Sequence, residues 1–146
     1  MKRYLQEAIA LDLKQKMVFL GGPRQVGKTT LAKTLLAQRA NTPLLQSCYL
    51  NWDAQEDRER ILSNQIPNAA GLIVLDEIHK FARWRQLAKG LFDKRKPGVE
   101  ILITGSARLD LYRKGGDSLQ GRYHYYRMHP LTLAELGSHN KSDVET

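Results

Sequence analysis

Residues 17–36, MVFLGGPRQVGKTTLAKTLL, constrain this chain more than any other stretch. Met17, Val18, Phe19 and Leu20 form an unbroken apolar run, the pattern of a strand buried on both faces of a parallel sheet. From Thr29 onward Leu31, Leu35 and Leu36 recur at helical spacing, with Lys33, Gln38 and Arg39 toward the polar side. Gly21, Gly22 and Gly27 lie between, so the segment reads as strand, glycine loop, helix. A glycine-rich turn lets successive backbone N–H groups converge on one concavity, and the following helix aims its positive end at the same point. Such a concavity takes an anion.

Residues 22–29 match G-x-x-x-x-G-K-[ST], the phosphate-binding P-loop, in the strand–loop–helix setting that gives the motif its meaning. The expected phosphate cradle is Gly22, Pro23, Arg24, Gln25, Val26, Gly27, Lys28, Thr29 and Thr30. Lys28 is expected to reach the β- and γ-phosphates, and the Thr29 hydroxyl to ligate Mg²⁺. A nucleoside triphosphate with Mg²⁺ is therefore the expected ligand.

The rest of the chain alternates in the same way. Residues 3–15 read as an amphipathic helix, 44–50 as a second strand, and 57–62 as a helix whose start lies near Asp53. Gly71-Leu72-Ile73-Val74-Leu75 is the strongest strand, rich in β-branched and leucine side chains. A helix over 84–93 ends before Pro97-Gly98, and strands follow at 101–104 and 123–128. Short helical turns are expected at 108–112 and 133–136. Strands alternating with helices predict an α/β fold with a mostly parallel five-stranded sheet sandwiched by helices.

Ligands of such sheets sit beyond the carboxyl ends of the strands, so the other strand ends matter. The third strand ends in Asp76-Glu77. Buried acids are costly unless paired, so a buried strand that delivers two of them points to function. In a P-loop enzyme the first acid, Asp76, holds Mg²⁺ and the second, Glu77, can act as general base toward water. His79 reads as a surface or hinge residue, since no second base or metal ligand pairs with it in the sequence. The fourth strand ends Thr104-Gly105-Ser106, and either hydroxyl can orient the water; the residues do not choose between them. Ser106 reads equally well as a helix N-cap.

Together these pieces resemble the ATPase core of the AAA+ superfamily. More narrowly, "YLNWDAQEDRERIL", "LDEIHKFARWRQLAKGLFD" and "ITGSARLDL" resemble prokaryotic AAA-domain ATPases whose longer members carry a winged-helix-like and nuclease-like tail. The resemblance implies a P-loop NTPase fold, ATP as the nucleotide, Walker A roles for Lys28 and Thr29, Walker B roles for Asp76 and Glu77, and a sensor at Thr104 or Ser106. It also implies an arginine aimed at a neighbouring subunit's γ-phosphate. Arg122 is the first candidate, with Arg108 and Arg113 as rivals and a structural ion pair as the other reading of Arg122. Homo-oligomerisation is implied with it. AAA+ relatives add a helical lid after the sheet. Residues 1–146 read instead as a single core without lid or C-terminal domain. The reading that follows is a Mg-dependent ATPase acting as a nucleotide-driven switch or motor core. A non-hydrolysing nucleotide-gated module and a DNA-associated helicase-like fragment are the alternatives.

Composition adds bounds. A length of 146 residues, 42% hydrophobic and 26% charged, suits one soluble domain. No apolar run approaches the ~20 residues that span a bilayer, and the N-terminus lacks a continuous apolar segment of the signal-peptide kind. No membrane association is expected. The single cysteine, Cys48, reads as a small buried strand residue, and a cytoplasmic location fits. The net charge is +8, and seven basic residues against one acid fall between Lys80 and Lys96. That segment reads as a DNA or protein surface, or as a solvated helix face.

Overall fold

Strands that are apolar at every position need cover on both faces, and the fold supplies it. A computed structural model describes residues 5–23, 27–39, 47–106 and 121–129. Its elements in chain order are α1 (Leu5–Asp12), β1 (Met17–Gly21), α2 (Lys28–Arg39), β2 (Cys48–Asn51), α3 (Gln55–Leu62) and β3 (Gly71–Asp76). A 3₁₀ turn (Ile78–Lys80), α4 (Trp84–Asp93), β4 (Val99–Thr104) and β5 (Tyr123–Arg127) complete them. The sheet order is β2-β3-β4-β1-β5, and all four pairings are parallel. The expected α/β fold is the fold observed.

Alternation along each strand builds two cores. Met17, Phe19, Ile73, Leu75, Ile101 and Ile103 point to one face, under Ile61 of α3 and Trp84 and Ala88 of α4. Val18, Leu20, Leu72, Val74 and Leu102 point to the other, under Ile9, Leu31, Ala32 and Leu35 of α1 and α2. Each such aliphatic side chain contributes ~1.5–3 kcal/mol on burial. β1, β3 and β4 are buried on both sides, which is why they read as runs rather than as alternating patterns. Trp84 anchors α4 through an edge contact with Phe19, at 5.4 Å between ring centroids.

Element limits differ modestly from expectation. The N-terminal helix begins at Leu5 among the described residues. β2 covers Cys48–Asn51, with 44–46 outside the described residues. α3 starts at Gln55, because Asn51 and Asp53 form a turn in which the Asp53 N–H donates to the Asn51 side chain at 2.9 Å. Cys48 is only half-buried, with Arg60 beside its sulfur. The expected turns at 108–112 and 133–136 lie outside the described residues. No helix among the described residues is long and apolar enough to cross a membrane.

Parallel strands bring their carboxyl ends to one edge. There β4 is tied to β1 by the Gly105 N–H donating to Leu20 O at 3.1 Å. β5 is tied to β1 by the Met128 N–H donating to Gly21 O at 2.8 Å. The glycine loop therefore emerges between the ends of β4 and β5.

Candidate functional site

The loop after β1 is built around close approach. Gly22 has φ +149°, and a Cβ there would stand 2.4 Å from the Met128 carbonyl oxygen, so only glycine fits. Gly27, at φ +98°, turns the chain into α2. α2 begins at Lys28 itself. The Lys28 ammonium donates to the Gly22 and Pro23 carbonyls, each at 2.8 Å, so the loop wraps its own lysine. Lys28 is 6% exposed. Burial pushes its ammonium below its ordinary 10.5, opposed by the nearby Glu77 and Asp76 carboxylates.

Strand parity decides what faces Lys28 and Thr29. Asp76 lies on the same side of β3 as Leu72 and Val74, and Thr104 on the same side of β4 as Leu102. That side carries α2. The Leu75↔Ile103 register then sets Asp76 beside Thr104. Three hydroxyls donate to the Asp76 carboxylate. Thr29 does so at 2.9 Å, and Tyr49 and Thr104 make short bonds. Asp76 is 2% exposed and Thr104 is fully buried. A buried carboxylate is affordable only when bonded in this way. Burial, then the Asp76 carboxylate, holds the Tyr49 hydroxyl above its ordinary 10, so it remains a donor.

Glu77 leaves the strand pattern. Its backbone is left-handed, φ 59° and ψ 24°, a conformation that costs a non-glycine residue ~1–2 kcal/mol. The turn directs Glu77 away from the buried side taken by Asp76 and into a cleft of about 430 Å³. Gly27, Lys28, Thr29, Thr30, Asp53, Glu77 and Lys80 line this cleft. Lys80 Nζ pairs with Asp53 at 2.7 and 2.8 Å and lies 3.6 Å from Glu77. The Ser106 backbone N–H donates to His79 Nδ1 at 3.3 Å, and His79 Nε2 lies 3.7 Å from Glu77 Oε2.

Of the expected site residues, the structure thus gathers Gly22, Pro23, Gly27, Lys28, Thr29, Thr30, Asp76, Glu77 and Thr104, with Ser106 reaching Glu77 through His79. Arg24, Gln25 and Val26 of the cradle, and the rival arginines Arg108 and Arg113, lie outside the described residues. Arg122 stands apart. Its carbonyl accepts the Met17 N–H at 3.1 Å, and its guanidinium bonds Asp93 at 2.8 and 3.3 Å. That is the amino end of the strands, and β1 puts about 16 Å between it and the loop at ~3.3 Å per residue. Within one chain Arg122 does not meet Lys28. His79, expected at the surface or a hinge, is half-buried in the 3₁₀ turn, with its side chain only 7% exposed and 3.7 Å from Glu77. Tyr49, Asp53 and Lys80 went unassigned in the sequence. Tyr49 lies on β2, and Asp53 follows its carboxyl end, so a search of every strand end for polar groups would have found Asp53.

The residues fit Mg²⁺ through their donor set. A carboxylate and a threonine hydroxyl are hard oxygen ligands, already 2.9 Å apart. Among the described residues no group of three or more His, Cys, Asp or Glu forms a metal cage.

Fold and site together define a P-loop ATPase core of the AAA+ class, a nucleotide-binding domain type. Residues 14–137 match the family described as AAA domain, and the chain belongs to that family. Two curated relatives, from Mycobacterium bovis and Mycobacterium tuberculosis, are both described as uncharacterized proteins. Each is 31% identical over 124 residues, which is 84% of this chain and 27% of the relative. The chain therefore spans about a quarter of the length of these relatives. The solved structure of C. elegans PCH-2 aligns with 97% of this chain and 45% of that one, at 18% identity and a TM-score of 0.49.

Proposed function

We propose that this chain binds ATP with Mg²⁺ in the Lys28–Glu77 cleft and hydrolyses it, serving as a nucleotide-driven switch or motor core. The observation that carries this reading is the bonding of Asp76 to Thr29, at the head of α2, and to Thr104, at the end of β4. One carboxylate thereby joins the phosphate loop to the strand end that would sense the phosphate. Bound Mg²⁺ would supply positive charge that offsets the charge developing on the phosphates. Thr29 and Asp76 would hold it, with Asp76 kept in aim by Tyr49 and Thr104. Lys28 supplies a point charge to the phosphates from inside the loop. Glu77 accepts the proton of the attacking water at its carboxylate. Thr104, or the Ser106 side of the same strand end, orients that water.

Arg122 extends the reading to an assembly. It is partly exposed and lies at the far end of the sheet from its own P-loop, so any γ-phosphate it meets belongs to another copy. In this reading Arg122 is supplied in trans within a homo-oligomer, while its ion pair with Asp93 supports the structural role as the second reading. The basic 80–96 segment is the surface on which we would seek a DNA or protein partner. Some of its charge is spent internally, since Lys80 pairs with Asp53, and Arg95 bonds Phe92 O while lying over the Phe92 ring. A cytoplasmic location completes the proposal, with residues 1–146 containing the AAA-type core.

The decisive experiment is Glu77→Gln, followed by calorimetry with ATP·Mg and by phosphate release. Binding is expected to persist while turnover falls by ~10²–10⁴. Turnover per chain should also rise with protein concentration, and Arg122→Ala should abolish that rise. Wild-type turnover in Glu77→Gln would refute the assignment of the base, and wild-type protein that binds ATP without turnover would leave the nucleotide-gated module.

A further inference from the structure

We infer that His79 is a positioning residue that couples the end of β4 to the Glu77 carboxylate. The inference rests on the proposed role of Glu77 and adds a residue to that site.

Two adjacent acids end β3, and each is joined to the end of β4 by a different route. Asp76 takes the Thr104 hydroxyl directly. Glu77 follows in a left-handed turn and lines the cleft beside Lys28 and Thr29. Its connection runs through an imidazole. Ile78, fully buried, pins the 3₁₀ turn to the core, and the Phe81 N–H closes the turn on Ile78 O at 2.9 Å. The ring that follows lies between Ser106 and Glu77. Because the Ser106 N–H is a donor, the His79 Nδ1 that receives it carries no proton, at an N···N distance of 3.3 Å. The neutral ring then carries its proton on Nε2, facing Glu77 Oε2 at 3.7 Å. That separation exceeds a formed hydrogen bond, so a small movement of the β4 end makes or lengthens the contact. A side chain only 7% exposed has little room to move independently of either partner.

The Thr104 and Ser106 ends of one strand thus act on different acids. Thr104 steadies Asp76, and Ser106 acts through its backbone N–H and His79 on Glu77. A γ-phosphate drawing on the β4 end would shift both acids together. Lys80, 3.6 Å from Glu77, supplies charge beside the same carboxylate and is held by Asp53.

Three variants separate the roles of the ring. An asparagine amide reaches the Nδ1 position and can keep the Ser106 bond; a glutamine amide reaches the Nε2 position and can keep the donor to Glu77. In the full chain, His79→Ala should lower single-turnover ATP hydrolysis by roughly 10–100-fold and leave ATP·Mg affinity within about threefold. His79→Gln should recover part of the loss and His79→Asn should not. Wild-type turnover in His79→Ala, or recovery by Asn equal to that by Gln, would overturn the positioning role. The coupling is also read without turnover, from the Ser106 amide resonance. Glu77→Gln should move that resonance in wild-type background and leave it in place beside His79→Ala. An equal response in both backgrounds would defeat the coupling whatever Glu77 does in catalysis. Loss of turnover in Glu77→Gln with none in His79→Ala would leave the base in place and remove His79 alone.

Discussion

Replacing Thr104 isolates the contribution of one buried hydroxyl. Thr104→Val keeps the shape of the side chain and removes the donor to Asp76; Thr104→Ser keeps the donor and removes a methyl group. Thr104 is fully buried and its acceptor is 2% exposed, so water cannot replace the lost bond. A hydrogen bond to a charged group contributes ~1.5–3 kcal/mol, which sets the expected cost of Thr104→Val at about 2 kcal/mol. Losing one buried methyl in Thr104→Ser costs about 1 kcal/mol. At ~2–4 °C per kcal/mol for a chain of this size, Thr104→Val should melt about 4–8 °C lower than wild type. Thr104→Ser should melt about 2–4 °C lower. Circular dichroism melts at pH 7, with urea titration as a second measure, resolve that difference. Turnover should follow the hydroxyl rather than the methyl, being kept in Ser and lost in Val. If Thr104→Val is as stable as wild type while Thr104→Ser is weaker, Thr104 serves as a packed methyl group. The account of Asp76 as a carboxylate held by three donors is then wrong.

Lys28→Met should remove the nucleotide response while sparing the fold, since a methionine fills the space of the lysine stem and a buried charge seldom adds net stability. ATP·Mg at a hundred times its Kd should stabilise wild type by about 2.7 kcal/mol, and a thermal-shift assay should show no such gain in Lys28→Met; a retained gain would remove Lys28 from the site. Asp12 offers a test in acid. The Tyr126 hydroxyl, its strongest influence, holds the Asp12 carboxyl below its ordinary 3.8, with burial opposing and His124 assisting at 2.9 Å. A folded pKa below the unfolded one gives stability that is present above pH 3.8 and is lost as pH falls through the lower folded value. The stability gap between wild type and Asp12→Asn should therefore narrow as pH falls below about 4, as followed by urea midpoints; a gap independent of pH would mean that Asp12 is not an ionised partner of Tyr126. Gly22→Ala should fail to fold normally or lose several degrees of melting temperature, because its Cβ would lie 2.4 Å from the Met128 carbonyl oxygen.

Much of the architecture was legible because it depends on local chemistry. A short apolar run without alternation, rich in β-branched residues or bounded by glycine, fits a strand covered on both sides, and Leu72 to Leu75 and Met17 to Leu20 are such strands. The loop was legible for a related reason: the glycines, lysine and threonine of 22–29 are close in sequence, and the strand and helix that aim them are its immediate neighbours. Asp76 and Glu77 could be picked out because acids at the end of a buried strand are costly without a purpose.

What Asp76 and Glu77 touch was decided only by tertiary structure. The sequence left Thr104 and Ser106 as equals. The β3–β4 register and the parity of each strand set Thr104 on the α2 side against Asp76, while Ser106, past the strand end, meets His79. Tyr49 became a partner of Asp76 because β2 pairs with β3, although the two residues are 27 positions apart. His79 looked isolated in the sequence because Ser106, whose N–H donates to its Nδ1, lies beyond the end of β4 and 27 positions away. Asp53 looked like a helix start because Lys80, its partner across the cleft, is likewise 27 positions away. Arg122 could be placed relative to the P-loop only once β5 was found parallel to β1, which sends it to the opposite end of the sheet. Periodicity reports which way a side chain points from its own strand. Sheet order and register report which strand stands beside it, and these are set by the closure of both cores together rather than by any one segment.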